Sequence, residues 1–154
     1  QDAGVIPDLE NSFQLKLFNT YRCYMDLANY FPRRLIKNSD NRGSFVEIAR
    51  QGISGQISFS TTLKSVTRGN HFHTRKIERF AVIKGKALIQ LRRIGSNEIY
   101  SFYLDGDEPS YVDMPIWYAH SIKNIGEDTL YTVFWINEPF DPNDPDTYFE
   151  TVQT

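Results

Sequence analysis

The feature that most constrains the fold is the succession of short β-type runs after Pro32, with turn residues between them at close intervals. These runs are rich in β-branched and aromatic residues: SFVEIAR, GQISFSTT, RFAVIKG, KALIQLRRI, EIYSFYL, SYVDM, AHSIKNI and TLYTVFWINE. Many short strands with regular turns are typical of a β-sandwich or a β-barrel. The sequence therefore predicts an all-β domain over residues 33–154.

The stretch before Pro32 has a different period. Apolar residues recur there at helical spacing, at Phe13, Leu17, Tyr21, Met25 and Ala28, with Phe18 and Tyr24 beside them. Ser12 is the expected N-cap of this helix, and Pro32 is the expected stop. We predict an N-terminal helical arm over residues 1–32 whose apolar stripe covers one end of the core.

Composition and charge exclude several functions. The 154-residue chain has a net charge of −2 and no basic cluster, so nucleic acid is not an expected partner. No apolar run approaches the roughly 20 residues that cross a bilayer, and no signal peptide is visible. A single cysteine, Cys23, predicts a reducing, cytoplasmic location. Because the chain begins at Gln1, we expect it to be part of a longer protein.

The histidines predict a metal site. The chain has three, and His71 and His73 are one residue apart, so a strand would point both to the same side. Glu78 would return on the adjoining strand after a turn, and His120 would come from a distant strand. Three imidazoles and one carboxylate fit zinc, iron, nickel or manganese. Taken singly, each residue is more often packed or solvated, and if the four do not meet the chain is an ordinary β-rich domain.

The same residues resemble the two motifs of the cupin superfamily. The first motif reads HxH, four residues, E, six residues, G, and His71, His73, Glu78 and Gly85 fit it. The second motif reads PxGxxH, three residues, N, and is matched by Pro115, His120 and Asn124. Trp117 stands where this motif usually has glycine. The resemblance implies a double-stranded β-helix, or jelly-roll barrel, with four metal ligands.

A second resemblance concerns nucleotide sugars. The stretches DNRGSFVEI and RGNHFH are similar to those of dTDP-4-keto-rhamnose 3,5-epimerases. That resemblance implies that Arg42, Glu47 and Arg68 bind a nucleotide sugar, and it places a catalytic histidine at His71. The 3,5-epimerases are not built on a metal, however, and their HxQ is HxH here.

A closer resemblance accounts for both features. From LFNTYRCYM to NEPFDPNDPDTYF, the chain resembles the C-terminal cupin domain of CapF-type capsular polysaccharide biosynthesis enzymes. This implies epimerisation of a UDP-4-keto-6-deoxy-N-acetylhexosamine at C-3, next to its ketone. It further implies bound Zn²⁺, a homodimer, and an NADPH-dependent reductase domain N-terminal to the cupin.

The proton donors and acceptors must then come from elsewhere, because every histidine is a proposed ligand. Tyr118 and Lys76 are the candidates, since both occupy positions at which the CapF-type family has the same residue. Without a catalytic role, Tyr118 would be an aromatic of the barrel wall and Lys76 a solvated turn residue.

Two other functions stay open at this point. The four ligands would also serve a metal-dependent dioxygenase or a sugar-phosphate isomerase, although an oxygenase of small apolar substrates has no reason to carry Arg42, Glu47 and Arg68. Alternatively, the barrel is a non-catalytic module that binds a sugar nucleotide or drives dimerisation.

Overall fold

The computed structural model describes residues 11–35, 37–40, 43–46, 55–138 and 141–153. Within these ranges the helices are α1 (Ser12–Cys23) and α2 (Leu27–Tyr30). The strands are β1 (Arg33–Arg34), β2 (Lys37–Asp40), β3 (Gly43–Val46), β4 (Gln56–Thr62), β5 (Thr67–Phe72), β6 (Glu78–Lys84), β7 (Lys86–Arg93), β8 (Ile99–Asp105), β9 (Ser110–Met114), β10 (Tyr118–Asn124), β11 (Leu130–Ile136) and β12 (Tyr148–Phe149). No helix in the described ranges is long and apolar enough to cross a membrane.

Most strands belong to two antiparallel five-stranded sheets. The first sheet has the order β1-β9-β6-β11-β4 and the second the order β12-β5-β10-β7-β8, while β2 and β3 pair with each other. One apolar cluster joins the two sheets; it includes Ala81, Val82, Val112 and Met114 of the first sheet and Ile89, Leu91 and Ile122 of the second. The predicted all-β fold with an N-terminal helix is therefore confirmed, and the facing sheets form the jelly-roll barrel.

The N-terminal helix differs from the prediction at both ends. Asn11, not Ser12, is the N-cap, and its side chain accepts a hydrogen bond of 2.8 Å from the backbone N–H of Phe13. α1 ends at Cys23, and the short helix α2 follows before Pro32. The division into an arm over residues 1–32 and a barrel over 33–154 stays a prediction, since residues 1–10 lie outside the described ranges.

The predicted buried stripe of α1 is wrong. Phe13 is 70% exposed and Leu17 57% exposed, whereas Phe18 and Cys23 pack against the barrel. Polar contacts select this other face: Asn19 Nδ2 donates to the carbonyl of Arg75 at 2.9 Å, and Cys23 Sγ donates to the carbonyl of Ile116 at 3.1 Å. An amphipathic period alone could not reveal these partners.

A buried ionic cluster also ties α1 to the barrel. Asp113 of β9 receives two hydrogen bonds from Arg79 of β6, at 2.6 and 3.0 Å. Arg22 of α1 reaches the same carboxylate at 2.7 Å. The guanidinium of Arg79 also lies over the ring of Tyr111, 3.9 Å from its centroid. One carboxylate thus connects the helix with two strands of the first sheet.

Candidate metal centre

Paired strands of the second sheet supply three of the predicted ligands. β5 and β10 run antiparallel, and His71 lies directly opposite His120. Directly opposed residues of a sheet project from the same face, so both imidazoles share the barrel side. His73 follows β5 immediately, and its ring centroid lies 5.1 Å from that of His71 and 5.4 Å from that of His120. The three imidazoles therefore form one group.

The fourth ligand comes from the other sheet. Glu78 is the first residue of β6, and its Oε2 lies 3.5 Å from His73 Nε2 and 3.1 Å from His120 Nε2. One ligand atom from each of the four residues, His71 included, lies within 4.8 Å of the others. Ligands of a tetrahedral zinc ion at 2.0–2.1 Å are about 3.3 Å apart, a spacing that the two measured distances bracket.

The hydrogen bonds of the histidines show how the group fits a cation. His73 Nδ1 is bonded to the carbonyl of Asp146, and His120 Nδ1 to the carbonyl of Tyr118 at 3.2 Å. Because a carbonyl only accepts, both Nδ1 atoms carry the proton. In the neutral rings, each Nε2 then turns a lone pair toward the carboxylate of Glu78. These two Nε2 atoms and Glu78 Oε2 are buried and make no hydrogen bond with the residues that the structure describes, so the donor set suits a metal ion.

The pKa values of the site residues are shifted by burial and by their neighbours in the group. Burial would raise the pKa of Glu78, but the nearby His120 and His73 outweigh burial and lower it well below its usual range. Burial lowers the pKa of His73, yet the Glu78 carboxylate and the Asp146 carbonyl raise it by more. Burial lowers the pKa of His71 to about 4, and the neighbouring His120 adds to this effect. Glu78 is therefore ionised at neutral pH, which is the charge state in which a carboxylate binds a metal ion.

A β-bulge sets which side chains of β5 face the barrel. The register shifts at Gly69 and Asn70, so that Ser121 is opposite Gly69 and Ile122 opposite Arg68. Arg68 therefore shares the face of the core residue Ile122 and of His71, although positions three apart in a regular strand face opposite ways. A Cβ on Gly69 would stand 2.7 Å from the carbonyl oxygen of His120, and its φ of +94° is accessible chiefly to glycine.

Trp117 has a backbone conformation that glycine adopts more readily than other residues. Its φ is +62°, in the left-handed region, and its N–H donates to the carbonyl of His73 at 2.8 Å. Its ring stacks on Phe72, which stacks in turn on Tyr148, with centroids 5.6 and 5.2 Å apart. The residue that departs from the cupin motif therefore joins the loop before His120 to His73 and forms a three-ring stack with Phe72 and Tyr148.

The two predicted proton-transfer residues lie in different surroundings. Tyr118 begins β10, and its buried hydroxyl donates to the carbonyl of Cys23 at 3.3 Å. Lys76 is also buried, so it is not a solvated turn residue; its ammonium donates to the carbonyl of Pro145 at 2.7 Å and lies 3.9 Å from Glu138. The catalytic roles of both residues stay predictions, and the contacts of Lys76 point toward the C-terminal segment.

The predicted substrate-binding residues are only partly described. Arg42 and Glu47 lie outside the described residues. Arg68 is exposed on the barrel face of β5, and its Nη1 donates to the carbonyl of Thr61 at 3.2 Å. Its role in binding stays a prediction.

Two residues that lie near the proposed ligands, Phe80 and Asp146, belong to neither sequence motif. Phe80 of β6 meets the ring of His120 edge-on, with centroids 6.1 Å apart, and forms an apolar wall with Phe134. Asp146 lies in the Pro- and Asp-rich C-terminal segment and supports His73 from a distance of 73 residues. Their proximity depends on the three-dimensional fold.

Comparison with known proteins places this geometry in a family. Residues 38–148 match the family model described as Polysaccharide biosynthesis C-terminal domain. A UDP-2-acetamido-2,6-beta-L-arabino-hexul-4-ose reductase from Pseudomonas aeruginosa is 38% identical over 132 residues, which are 86% of this chain and 35% of that protein.

Solved structures of polysaccharide and sugar-nucleotide enzymes also resemble this chain. The capsular polysaccharide assembling protein CapF from Staphylococcus aureus is 40% identical, with a TM-score of 0.64 over 97% of this chain and 40% of that chain. The dTDP-6-deoxy-D-glucose-3,5-epimerase RmlC from Legionella pneumophila, at 20% identity, a TM-score of 0.59 and coverage of 71% of this chain and 67% of that chain, shares the fold. The chain thus spans well under half the length of the reductase and of CapF. It belongs to the polysaccharide biosynthesis C-terminal domain family, which confirms the resemblance of this cupin to CapF-type enzymes.

Proposed function

We propose that this chain epimerises a UDP-4-keto-6-deoxy-N-acetylhexosamine at C-3, in the synthesis of a precursor for capsular or other surface polysaccharide. The observation that carries the proposal is the meeting of His71, His73, Glu78 and His120, with Arg68 on the same face of β5. Family membership and the 38% identity to a UDP-sugar reductase support the choice of a UDP-sugar.

The reaction defines what the site must provide. A proton leaves C-3, an enolate forms across C-3 and C-4, and a proton returns to the opposite face of C-3. The enolate oxygen needs electrostatic stabilisation in a site that excludes bulk water. Phe80 and Phe134 supply an apolar wall beside His120 that serves this exclusion.

The four ligand residues would hold a divalent ion, for which we propose zinc. Such an ion, when bound, supplies a Lewis acid for the ketone oxygen or organises the pocket around it. Arg68 would bind the diphosphate, because a guanidinium pairs with two phosphate oxygens at once.

Tyr118 is better placed as a proton donor than as a base. Burial raises the pKa of its phenol, so the hydroxyl stays protonated at neutral pH. Its bond to the Cys23 carbonyl, at 3.3 Å, is long for a hydroxyl donor and leaves the proton available for a better acceptor. Lys76 stays the alternative donor, but it would first have to leave the carbonyl of Pro145.

His71 is a candidate acceptor if it leaves the ion. It is half-buried, whereas His73 and His120 are buried, so it is the most accessible of the three imidazoles. Burial lowers the pKa of its ring to about 4, so the imidazole is unprotonated at neutral pH, although it is a weaker base than an imidazole that titrates near 7.

The test follows solvent deuterium into UDP-4-keto-6-deoxy-N-acetylglucosamine in heavy water, by mass spectrometry, alongside metal analysis of the protein. We expect deuterium at C-3, loss of exchange in chelator, and recovery with added zinc. Tyr118→Phe should slow exchange by about a hundredfold or more, while Tyr103→Phe, at an exposed tyrosine, should not. Arg68→Ala should raise KM, with Arg34→Ala as the matched control at an exposed arginine.

Other outcomes would favour the other functions. Oxygen consumption with bound iron would favour a dioxygenase. Isomerisation of a sugar phosphate would favour an isomerase, and tight binding of the UDP-sugar without any exchange would favour a non-catalytic module.

The proposal also covers the oligomeric state and the domains of the full-length protein. We propose a homodimer, which light scattering would detect, and an N-terminal NADPH-dependent reductase domain that reduces the epimerised ketone. The second point rests on relatives of which this chain spans only 35–40%.

A further inference from the structure

The turn between the first ligand strand and Glu78 is held by one residue of the C-terminal segment. Asp146 is 3% exposed, and its carboxylate accepts hydrogen bonds from three consecutive backbone N–H groups, those of Thr74, Arg75 and Lys76, at 3.0–3.3 Å. It also accepts the hydroxyl of Thr74 at 2.6 Å. Successive N–H groups aimed at one anion fix the conformation of a turn.

The same residue contacts a metal ligand directly. The backbone carbonyl of Asp146 accepts a hydrogen bond from His73 Nδ1. A carbonyl has no proton to give, so this contact selects the tautomer in which Nε2 is free to bind an ion. Asp146 therefore acts on both ends of the turn that separates His73 from Glu78.

We propose that Asp146 is a positioning residue of the metal centre, whose carboxylate sets the turn between His73 and Glu78 and whose carbonyl orients the His73 imidazole. The part of this inference that concerns metal affinity rests on the proposed function. The part that concerns the His73 tautomer applies to the metal-free chain as well.

The backbone of Asp146 indicates which substitutions are informative. Its φ of +44° is left-handed, a conformation that Asp and Asn tolerate better than other side chains. Asp146→Asn keeps this tolerance and one acceptor oxygen, but it loses the charge and the second acceptor. Asp146→Ala removes every side-chain contact with the turn. Asp144→Asn is the matched control, since Asp144 lies in the same segment and pairs with Arg75 at 2.7 Å on the surface.

The experiment measures zinc affinity by competition with a chromophoric chelator, and the His73 tautomer of metal-free protein by long-range ¹H–¹⁵N NMR. We expect Asp146→Ala to weaken zinc binding by about tenfold to a hundredfold, Asp146→Asn to weaken it less, and Asp144→Asn to leave it unchanged. In the metal-free chain, we expect His73 to carry its proton on Nδ1. Alanine keeps the carbonyl at position 146 but loses the side-chain contacts that hold this left-handed residue on the turn, so we expect the carbonyl to move away from Nδ1 and His73 to become a mixture of tautomers in Asp146→Ala.

Four results decide the matter. Wild-type zinc affinity in a folded Asp146→Ala would overturn the proposal, as would equal losses in Asp146→Ala and Asp144→Asn. If Asp146→Ala does not fold, wild-type affinity in Asp146→Asn would overturn it in the same way. If the wild-type chain binds no zinc, the metal centre of the proposed function fails, and the tautomer of His73 still decides the role of Asp146: a change supports positioning and its absence refutes it.

Discussion

Removing the carboxylate of Asp113 should destabilise the fold more than removing the guanidinium of Arg22. Asp113 is 2% exposed and is the common acceptor for Arg79 and Arg22, which are 1% and 7% exposed. Asp113→Ala leaves two buried guanidinium groups without this carboxylate. Breaking a buried ion pair by removing one partner costs about 3–5 kcal/mol. For a domain of this size, that corresponds to a fall in Tm of roughly 6–20 °C.

Arg22→Met supplies the contrast, because Asp113 keeps both hydrogen bonds from Arg79 in that variant. We expect a loss of about 1.5–3 kcal/mol, comparable to one hydrogen bond with a charged group. Urea unfolding would be followed by tryptophan fluorescence, since Trp135 is buried against Phe18 of α1 in the same apolar cluster. A cost below about 1 kcal/mol for Asp113→Ala, or one no larger than that of Arg22→Met, would refute the reasoning.

The remaining predictions concern the glycine bulge, the cysteine and the carboxylate ligand. Gly69→Ala should lose about 3 kcal/mol of stability in thermal unfolding, from left-handed strain plus the close backbone contact described above. Gly95→Ala, at φ +83° and with no described residue within 4 Å of an added Cβ, should lose only about 1 kcal/mol, and equal losses would contradict this reasoning. Burial raises the pKa of Cys23 to about 11, so the thiol should resist a disulfide reagent at pH 8 until urea unfolds the chain. The protonated thiol should also stabilise the fold less as pH rises from 9 toward 11, because the unfolded chain loses this proton first. Rapid labelling of the native protein at pH 8 would disprove the first expectation. Glu78→Gln should weaken zinc binding by at least about a hundredfold in chelator competition while the chain stays folded; unchanged affinity would exclude Glu78 as a ligand.

The sequence sufficed for the barrel and for the ligand group because both depend on local patterns. Alternating and β-branched runs identified the strands β4 and β6 to β11, and the spacing of His71 and His73 required one shared side. Glu78 and His120 joined them through motifs of fixed spacing. The structure brings all four together within 4.8 Å.

The features that the sequence missed depend on partners far away in the chain. The helix period predicted that Leu17 would be buried, but the contact of Arg22 with Asp113 turns α1 to its other face. The bulge at Gly69 and Asn70 changes the phase of β5, so counting residues from His71 places Arg68 on the wrong side. Both outcomes are decided by tertiary contacts, which a local pattern does not contain.

The contact of Asp146 with His73 has a consequence for the order of synthesis, folding and metal binding. All four proposed ligands have been synthesised once His120 has been added to the chain, yet Asp146, which contacts His73, lies 26 positions further on. At 5–20 residues per second, translation needs roughly 1–5 s to reach it. Contacts between distant positions also form late in folding. A nascent chain therefore carries all four proposed ligands for seconds before Asp146 is synthesised, and we expect the proposed metal centre to be completed among the last steps of its biogenesis.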